Sequence, residues 1–135
     1  MRWRSRDGRW LVEPIVEIGP DLLEMEATYS GRGDLPPSHL HPSQDEHFVV
    51  LEGTVRLVLA GEERRHAAGE TFDVPAGTPH QMAGDGPARV RWEVRPALRT
   101  EEFFRRLYGP RTDYAALFAE FAPEFQLADR GAPSD

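Results

Sequence analysis

Five histidines carry most of the chemistry in this chain: His39, His41, His47, His66 and His80. His39 and His41 stand apart. Residues i and i+2 of a strand project from one face, so both imidazoles can reach one ion. Pro36, Pro37 and Pro42 flank the pair and restrict its backbone. The segment Pro42–Asp45 reads as a turn, after which Glu46 opens the next strand and can bring a carboxylate back beside the pair. Further on, Pro75-Ala76-Gly77-Thr78-Pro79-His80 has strong turn chemistry. Gly77 can supply a positive φ and the prolines stiffen the turn, so His80 is held at a strand start. Three imidazoles and a carboxylate suit one divalent transition ion (Fe, Mn, Ni, Zn, Co or Cu) far better than Mg or Ca. Parity leaves one point open. Glu46, Phe48 and Val50 share one strand face, and Asp45, His47, Val49 and Leu51 share the other. Both faces carry apolar residues, so periodicity does not say which points inward.

Other chemistries are excluded by composition. The chain has no cysteine, which removes disulfides, thiolate metal sites and a thiol nucleophile. All 16 basic residues are arginine, so Schiff-base chemistry on lysine is absent. The net charge of −7 makes nucleic acid a poor partner. No apolar run approaches the ~20 residues that span a bilayer, and no membrane partner is expected. The N-terminal MRWRSRDGRW is basic without an apolar core, so it does not read as a signal peptide. The expected location is cytoplasmic.

The elements that position these side chains read as mostly β. With 135 residues and 39% hydrophobic content, one domain is expected over 1–135. Short apolar or alternating runs lie between Gly and Pro punctuation: Trp10–Ile18, Leu22–Tyr29, Glu46–Leu51, Thr54–Leu59, Glu70–Val74 and Ala88–Val94. Such runs read as strands of a sandwich, barrel or jelly roll. Leu23, Met25, Ala27 and Tyr29 alternate with Glu24, Glu26 and Thr28. Val90, Trp92 and Val94 alternate with Arg89, Arg91, Glu93 and Arg95. One side of each strand therefore packs inward, and the arginine stripe is solvated or paired with Glu24 and Glu26. Parity makes Tyr29, Phe48, Val50, Phe72, Val74, Met82, Val90 and Trp92 candidates to line an interior pocket. Of these, Tyr29, Phe48, Phe72, Met82 and Trp92 are taken as substrate-binding, Tyr29 and Trp92 foremost. Gln81 has the opposite parity to His80 and Met82. His47 is expected to point away from the ion, and His66 lies in a polar hairpin.

After Pro96 the pattern becomes helical. Thr100 is an N-cap candidate, with Glu101 and Glu102 in the first turn, Arg105 and Arg106 in the last, and Gly109-Pro110 as a stop. A second helix is expected from Asp113 to about Phe121, with an apolar stripe of Leu117, Phe118, Phe121 and Phe125. Both helices are expected to pack on the β core or on a second subunit. The boundaries are a barrel over about 9–97, a helical extension over about 98–128 and a tail over 129–135.

These residues resemble the cupin family. The first cupin motif is matched by Gly33, five residues, His39-Leu40-His41, four residues, Glu46, six residues and Gly53. The second is matched by Gly69, five residues, Pro75-Ala76-Gly77, two residues and His80, with Gly84 where the motif ends in Asn. The resemblance covers residues 33–84. It implies an all-β double-stranded β-helix (a jelly-roll cupin barrel) with short C-terminal helices, and a metal inside one end held by His39, His41, Glu46 and His80. It also implies that Glu46 points inward, and that the chain is a homodimer, with Trp3–Val12 available as an exchanged strand. Four protein ligands on an octahedral ion leave two positions for water, O₂ or a bidentate substrate. One expected function is a metal-dependent dioxygenase or isomerase acting on a small oxygenated molecule, with Glu46 also serving as the catalytic base. The alternative is a small-molecule-binding module in which the metal anchors a ligand or stabilises the barrel. The fold does not choose between them.

Overall fold

The computed structural model describes residues 21–30, 35–107 and 113–128, and the backbone of residues 3–4 and 10–14. Among the described residues the strands are β1 (Trp3–Arg4), β2 (Trp10–Pro14), β3 (Leu23–Tyr29), β4 (His39–Leu40), β5 (Asp45–Glu52), β6 (Thr54–Leu59), β7 (Glu62–Ala67), β8 (Thr71–Val74), β9 (His80–Gly84), β10 (Ala88–Arg95) and β11 (Gln126–Leu127). The helices are α1 (Thr100–Leu107) and α2 (Tyr114–Glu120). One sheet runs β1-β2-β3-β10-β5-β8 and the other β11-β4-β9-β6-β7. Every pairing between them is antiparallel. The two sheets enclose one core; of the sandwich, barrel or jelly roll left open by the alternating runs, this is the jelly-roll barrel implied by the family resemblance.

Period-2 patterning places the core. Leu23, Met25 and Ala27 on β3 and Val90, Trp92 and Val94 on β10 are buried, and Val55 and Leu57 on β6 face them from the second sheet. Register lines up Trp92, Phe48 and Phe72 across three neighbouring strands. Their rings stack, Phe48 on Phe72 at 4.9 Å and Phe48 on Trp92 at 5.9 Å. The next inward row holds Val94, Glu46 and Val74. A carboxylate thus takes a position whose two neighbours are valines. That is costly unless the charge is compensated.

The outer faces carry the charge. Arg89 pairs with Glu52 at 2.6 Å and Glu26 at 2.8 Å, as expected for a stripe facing Glu24 and Glu26. β7 is polar throughout, an edge strand with no apolar period to betray it, and its charges discourage pairing with another chain. Residues 15–18 of the first expected strand lie outside the described residues, as do Gly33, the 109–110 helix stop and the 129–135 tail.

The helices close one end of the barrel. Asp113 caps α2 by accepting a hydrogen bond from the Ala116 N–H at 3.1 Å. Phe103 and Phe104 of α1 are buried, and Phe104 meets Trp92 edge-on at 5.4 Å. Gln44, wholly buried, ties the β4–β5 turn to the start of α1. Its Nε2, with two hydrogens to donate, lies within hydrogen-bond distance of the carbonyls of Pro96 (2.8 Å) and Ala97 (2.9 Å) and of Thr100 Oγ1 (2.7 Å). The extension then returns to the sheet. β11 pairs with β4, and the Ala128 N–H donates to the Ser38 carbonyl at 2.8 Å. The expected helix over 113–121 is found, but Phe125 is not on it. The chain turns after Phe121, which is the C-cap.

Candidate metal centre

Each ligand candidate is set in place by the local rules read above. β4 pairs with β9 at His39 and His80, so these two rings stand directly opposite each other. His41 follows one strand period later on the same face. The Pro75–Pro79 turn is closed by the Thr78 N–H on the Pro75 carbonyl at 3.2 Å, with Gly77 at φ +78°. That left-handed backbone suits glycine. It points the Gly77 N–H at the His41 carbonyl, 2.8 Å away, which fixes the second motif to the first. Ala76 N–H donates to Asp45 Oδ1 at 2.8 Å.

The four side chains converge. One ligand atom from each of His39, His41 and His80 lies within 4.8 Å of the others. Glu46 Oε1 is 3.3 Å from His41 Nε2 and 3.2 Å from His80 Nε2. His41, Glu46 and His80 are each at most 5% exposed, and His39 is half-buried.

Outer contacts decide which atoms face inward. His41 Nδ1 donates to the Glu124 carbonyl at 2.8 Å, and His80 Nδ1 donates to the Thr78 carbonyl at 3.0 Å. Such tethers fix the tautomer and aim the other nitrogen's lone pair at the centre. Trp92 Nε1–H donates to Glu46 Oε2 at 2.7 Å, so Oε1 is the oxygen turned to the histidines.

Electrostatics follow from this arrangement. Burial pushes the Glu46 carboxyl up, but the imidazoles facing it, His41 first and then His80 through its short contact, overcome it and hold the group at about 2. Burial, with His80 and His41 alongside, lowers His39 well below the usual histidine range, so that ring is neutral. Burial also pushes His80 down, but the adjoining Glu46 carboxylate and the Thr78 carbonyl raise it on balance.

The donor set fits a divalent transition ion. His41 Nε2 and Glu46 Oε1 are buried and have no hydrogen-bond partner. With Nδ1 carrying the proton, both are electron-pair donors, and they face each other at 3.3 Å. Two such acceptors in a desolvated site repel unless a proton on Nε2 or a bound cation joins them, and the nearby His39 and His80 nitrogens give a cation two further donors. Metal–nitrogen bonds of ~2.1 Å separate two ligands by at most about 4.2 Å. A small inward movement of the rings completes the set.

The remaining sequence candidates divide. Trp92 and Phe48 are buried in the row next to Glu46, Trp92 in direct contact with it. Tyr29 is half-buried, and its hydroxyl is pushed well up by burial and by the charge of Glu46, so it lies within electrostatic reach of the carboxylate. Gly84 has no Cβ where one would meet Tyr29 Cβ at 2.8 Å and the Gly86 carbonyl at 2.6 Å. The residue that departs from the second motif thus makes room for the Tyr29 side chain. Met82 is packed against the core opposite Leu57. Phe72 stacks between Phe48 and His66, on the side of the row away from Trp92. His66 lies in the β6–β7 hairpin as expected, with its side chain only 17% exposed. Its ring lies on Phe72 at 4.5 Å. His47 pairs with Asp73 at 2.7 Å and borders an outer groove of about 520 Å³ with Asp45, Glu93 and Arg95. Gln81 donates to the Pro36 carbonyl at 2.8 Å.

Sequence reasoning missed two participants. Glu124 reaches His41 through its backbone carbonyl, and Phe125 stacks on His39 at 4.7 Å and 17°. A backbone contact leaves no residue-type signal. Phe125 was legible only as an apolar residue one turn beyond a helix.

Comparison with known proteins places the chain in a family. Quercetin 2,3-dioxygenase of Bacillus subtilis (strain 168) is 40% identical over 60 residues, 44% of this chain and 18% of that protein. The probable oxidoreductase virH of Hypocrea virens is 30% identical over 135 residues, 92% of this chain and 58% of that protein. The chain thus spans well under two thirds of the length of both relatives. The solved structure of KdgF from Halomonas sp. superposes with a TM-score of 0.62 at 26% identity, covering 70% of this chain and 84% of that one. Among the described residues no helix is long and apolar enough to cross a membrane. The Cupin domain family matches residues 25–94, which include all four candidate ligands and both motif turns, and the chain belongs to that family.

Proposed function

We propose that the chain is a metal-dependent enzyme that oxidises or isomerises a small phenolic or enolic substrate. The observation that carries this reading is the unpartnered pair of donor atoms, His41 Nε2 and Glu46 Oε1, converging with His39 and His80. A relative named as a quercetin dioxygenase and another named as a probable oxidoreductase support the reaction class.

His39, His41, Glu46 and His80 would hold the ion. A transition ion bound there supplies Lewis acidity toward an enolate or phenolate oxygen, and with a redox-active metal it gives access to O₂ chemistry. The chain's own groups do the rest. Trp92 holds one oxygen of Glu46 and leaves the other to face the histidines; only when released from the ion could that oxygen take a proton from an acidic hydroxyl or C–H. Tyr29 stays protonated across the working pH range, so its hydroxyl is a hydrogen-bond donor near Glu46. Phe103, Phe104 and Trp92 wall off water.

The test is metal analysis of protein purified without chelator, followed by oxygen uptake and product analysis with flavonols and 1,3-diketones, using Fe- and Mn-loaded protein. Turnover that disappears in His41→Ala is expected. Metal content below a tenth of an equivalent, with no thermal shift on adding Mn, Fe, Ni or Zn, refutes the metal site. A bound substrate recovered unchanged under all metal loadings refutes the enzyme and leaves a ligand-binding module.

A further inference from the structure

The two motif histidines are held by two consecutive residues far away in sequence. His41 Nδ1 is bonded to the carbonyl of Glu124, and the His39 ring lies flat on Phe125 at 4.7 Å. Phe125 also faces His41 edge-on at 5.8 Å, and it is backed by Phe103 at 4.8 Å and Phe118 at 5.5 Å. Residues 124 and 125 therefore set both the tautomer of one ligand and the ring plane of the other.

What holds residue 124 in place is itself a built feature. The Glu124 carboxylate is 4% exposed and receives Arg99 through Nη2 at 2.9 Å, Nε at 3.1 Å and the backbone N–H at 3.3 Å. Arg99 Nη2 also donates to the Glu120 carbonyl at 2.9 Å, and its guanidinium lies over the Phe121 ring at 4.4 Å. A fork-shaped cation with several donors on one carboxylate fixes geometry as well as supplying energy. Beyond it, β11 pairs with β4, the strand that carries His39.

We infer that the C-terminal arm, residues 113–128, is a working part of the metal centre: Glu124 and Phe125 are positioning residues for His41 and His39, and the Arg99–Glu124 pair is the latch that holds them there. The inference rests on the metal-binding reading above. Arm docking and cation binding are then linked, and each favours the other by the same factor. Outer contacts of this kind change metal affinity by roughly 10–100-fold when removed.

The experiment uses the full chain loaded with Co²⁺, whose visible absorption reports ligand number and geometry. Glu124→Gln removes the charge but keeps the size, and Arg99 is 43% exposed, so its guanidinium rehydrates without a buried orphan. Expected results are about tenfold faster loss of Co²⁺ to excess chelator, an altered Co²⁺ spectrum, and faster hydrogen exchange in residues 124–128 and 38–41. Exchange in β6 and β9 should match wild type. Phe125→Leu, which leaves the latch intact, should also speed Co²⁺ loss. Co²⁺ binding to wild type should slow exchange at the Ala128 amide. Wild-type Co²⁺ release from an arm that exchange shows to be open overturns the inference, and so does an arm that stays closed in Glu124→Gln. If Glu124→Gln does not fold, Phe125→Leu decides, and a wild-type release rate there overturns it. Failure of wild type to take up Co²⁺ at all overturns the metal site, and this inference with it.

Discussion

Replacing Trp92 by phenylalanine isolates the bond that holds Glu46. The Nε1–H reaches Glu46 Oε2 at 2.7 Å, and both residues are less than a tenth exposed. Phenylalanine keeps a ring to stack on Phe48 and to receive the edge of Phe104, so the change is mainly the loss of one donor to a buried charge. A hydrogen bond to a charged group contributes about 1.5–3 kcal/mol. The missing pyrrole edge, about 40 Å² at ~25 cal/mol per Å², adds roughly 1 kcal/mol. The sum, about 3 kcal/mol, should lower the midpoint of thermal unfolding by roughly 10 °C for a domain of this size. The assay is urea unfolding of metal-free protein followed by circular dichroism, repeated in a Glu46→Gln background. Glutamine still accepts the indole N–H, but as a neutral group. The loss caused by Trp92→Phe should therefore shrink by about 1–2 kcal/mol in that background. A coupling below about 0.5 kcal/mol would show that the indole N–H does not hold the carboxylate. The assignment of Oε1 as the inward-facing atom would fall with it.

Two further outcomes follow from the same geometry. Gly84→Asn, which restores the motif residue, drives a Cβ to 2.8 Å from Tyr29 Cβ and 2.6 Å from the Gly86 carbonyl; it should cost about 1–3 kcal/mol in urea unfolding, and an unchanged midpoint refutes the close-approach argument. Tyr29 titrates above its ordinary value of 10.0 because burial, then the Glu46 charge, disfavours the phenolate. The folded state therefore keeps this proton longer than the unfolded chain does. The stability it contributes is complete below the unfolded value and is lost as the pH rises above it. Between roughly pH 9 and 11, Tyr29→Phe should lose less stability than wild type; parallel losses refute the placement.

The three histidines were legible because each carries its own local signal. His39 and His41 share a strand face by spacing, and His80 follows a turn rich in Gly and Pro. Glu46 was not decided by periodicity, because Val49 and Leu51 make the outward face of β5 half-apolar as well. The family motif supplied that choice, and the register with Val94 and Val74 gives its physical form. The polar β7 and the two-residue β4 and β11 have too little apolar period to be read as strands. Leu117 and Phe118 fit a helical stripe, and extending that stripe to Phe125 was natural, yet the helix ends at Glu120. What the chain does beyond that point is set by Arg99 and Glu124 meeting across the fold, a tertiary event with no local code.

The order in which a ribosome releases these groups has a consequence. His41 and the carbonyl that orients it are 83 positions apart. At ~5–20 residues per second, about 4 to 17 s separate their synthesis. His80 follows His41 by 39 positions, so for the last 44 of the 83 all four candidate ligands have been made while His41 lacks the carbonyl that orients it. On the metal-binding reading, the centre is complete only late in the synthesis of the chain. A product cut short within α2 would lack β11, the strand that pairs with β4, and the carbonyl that orients His41.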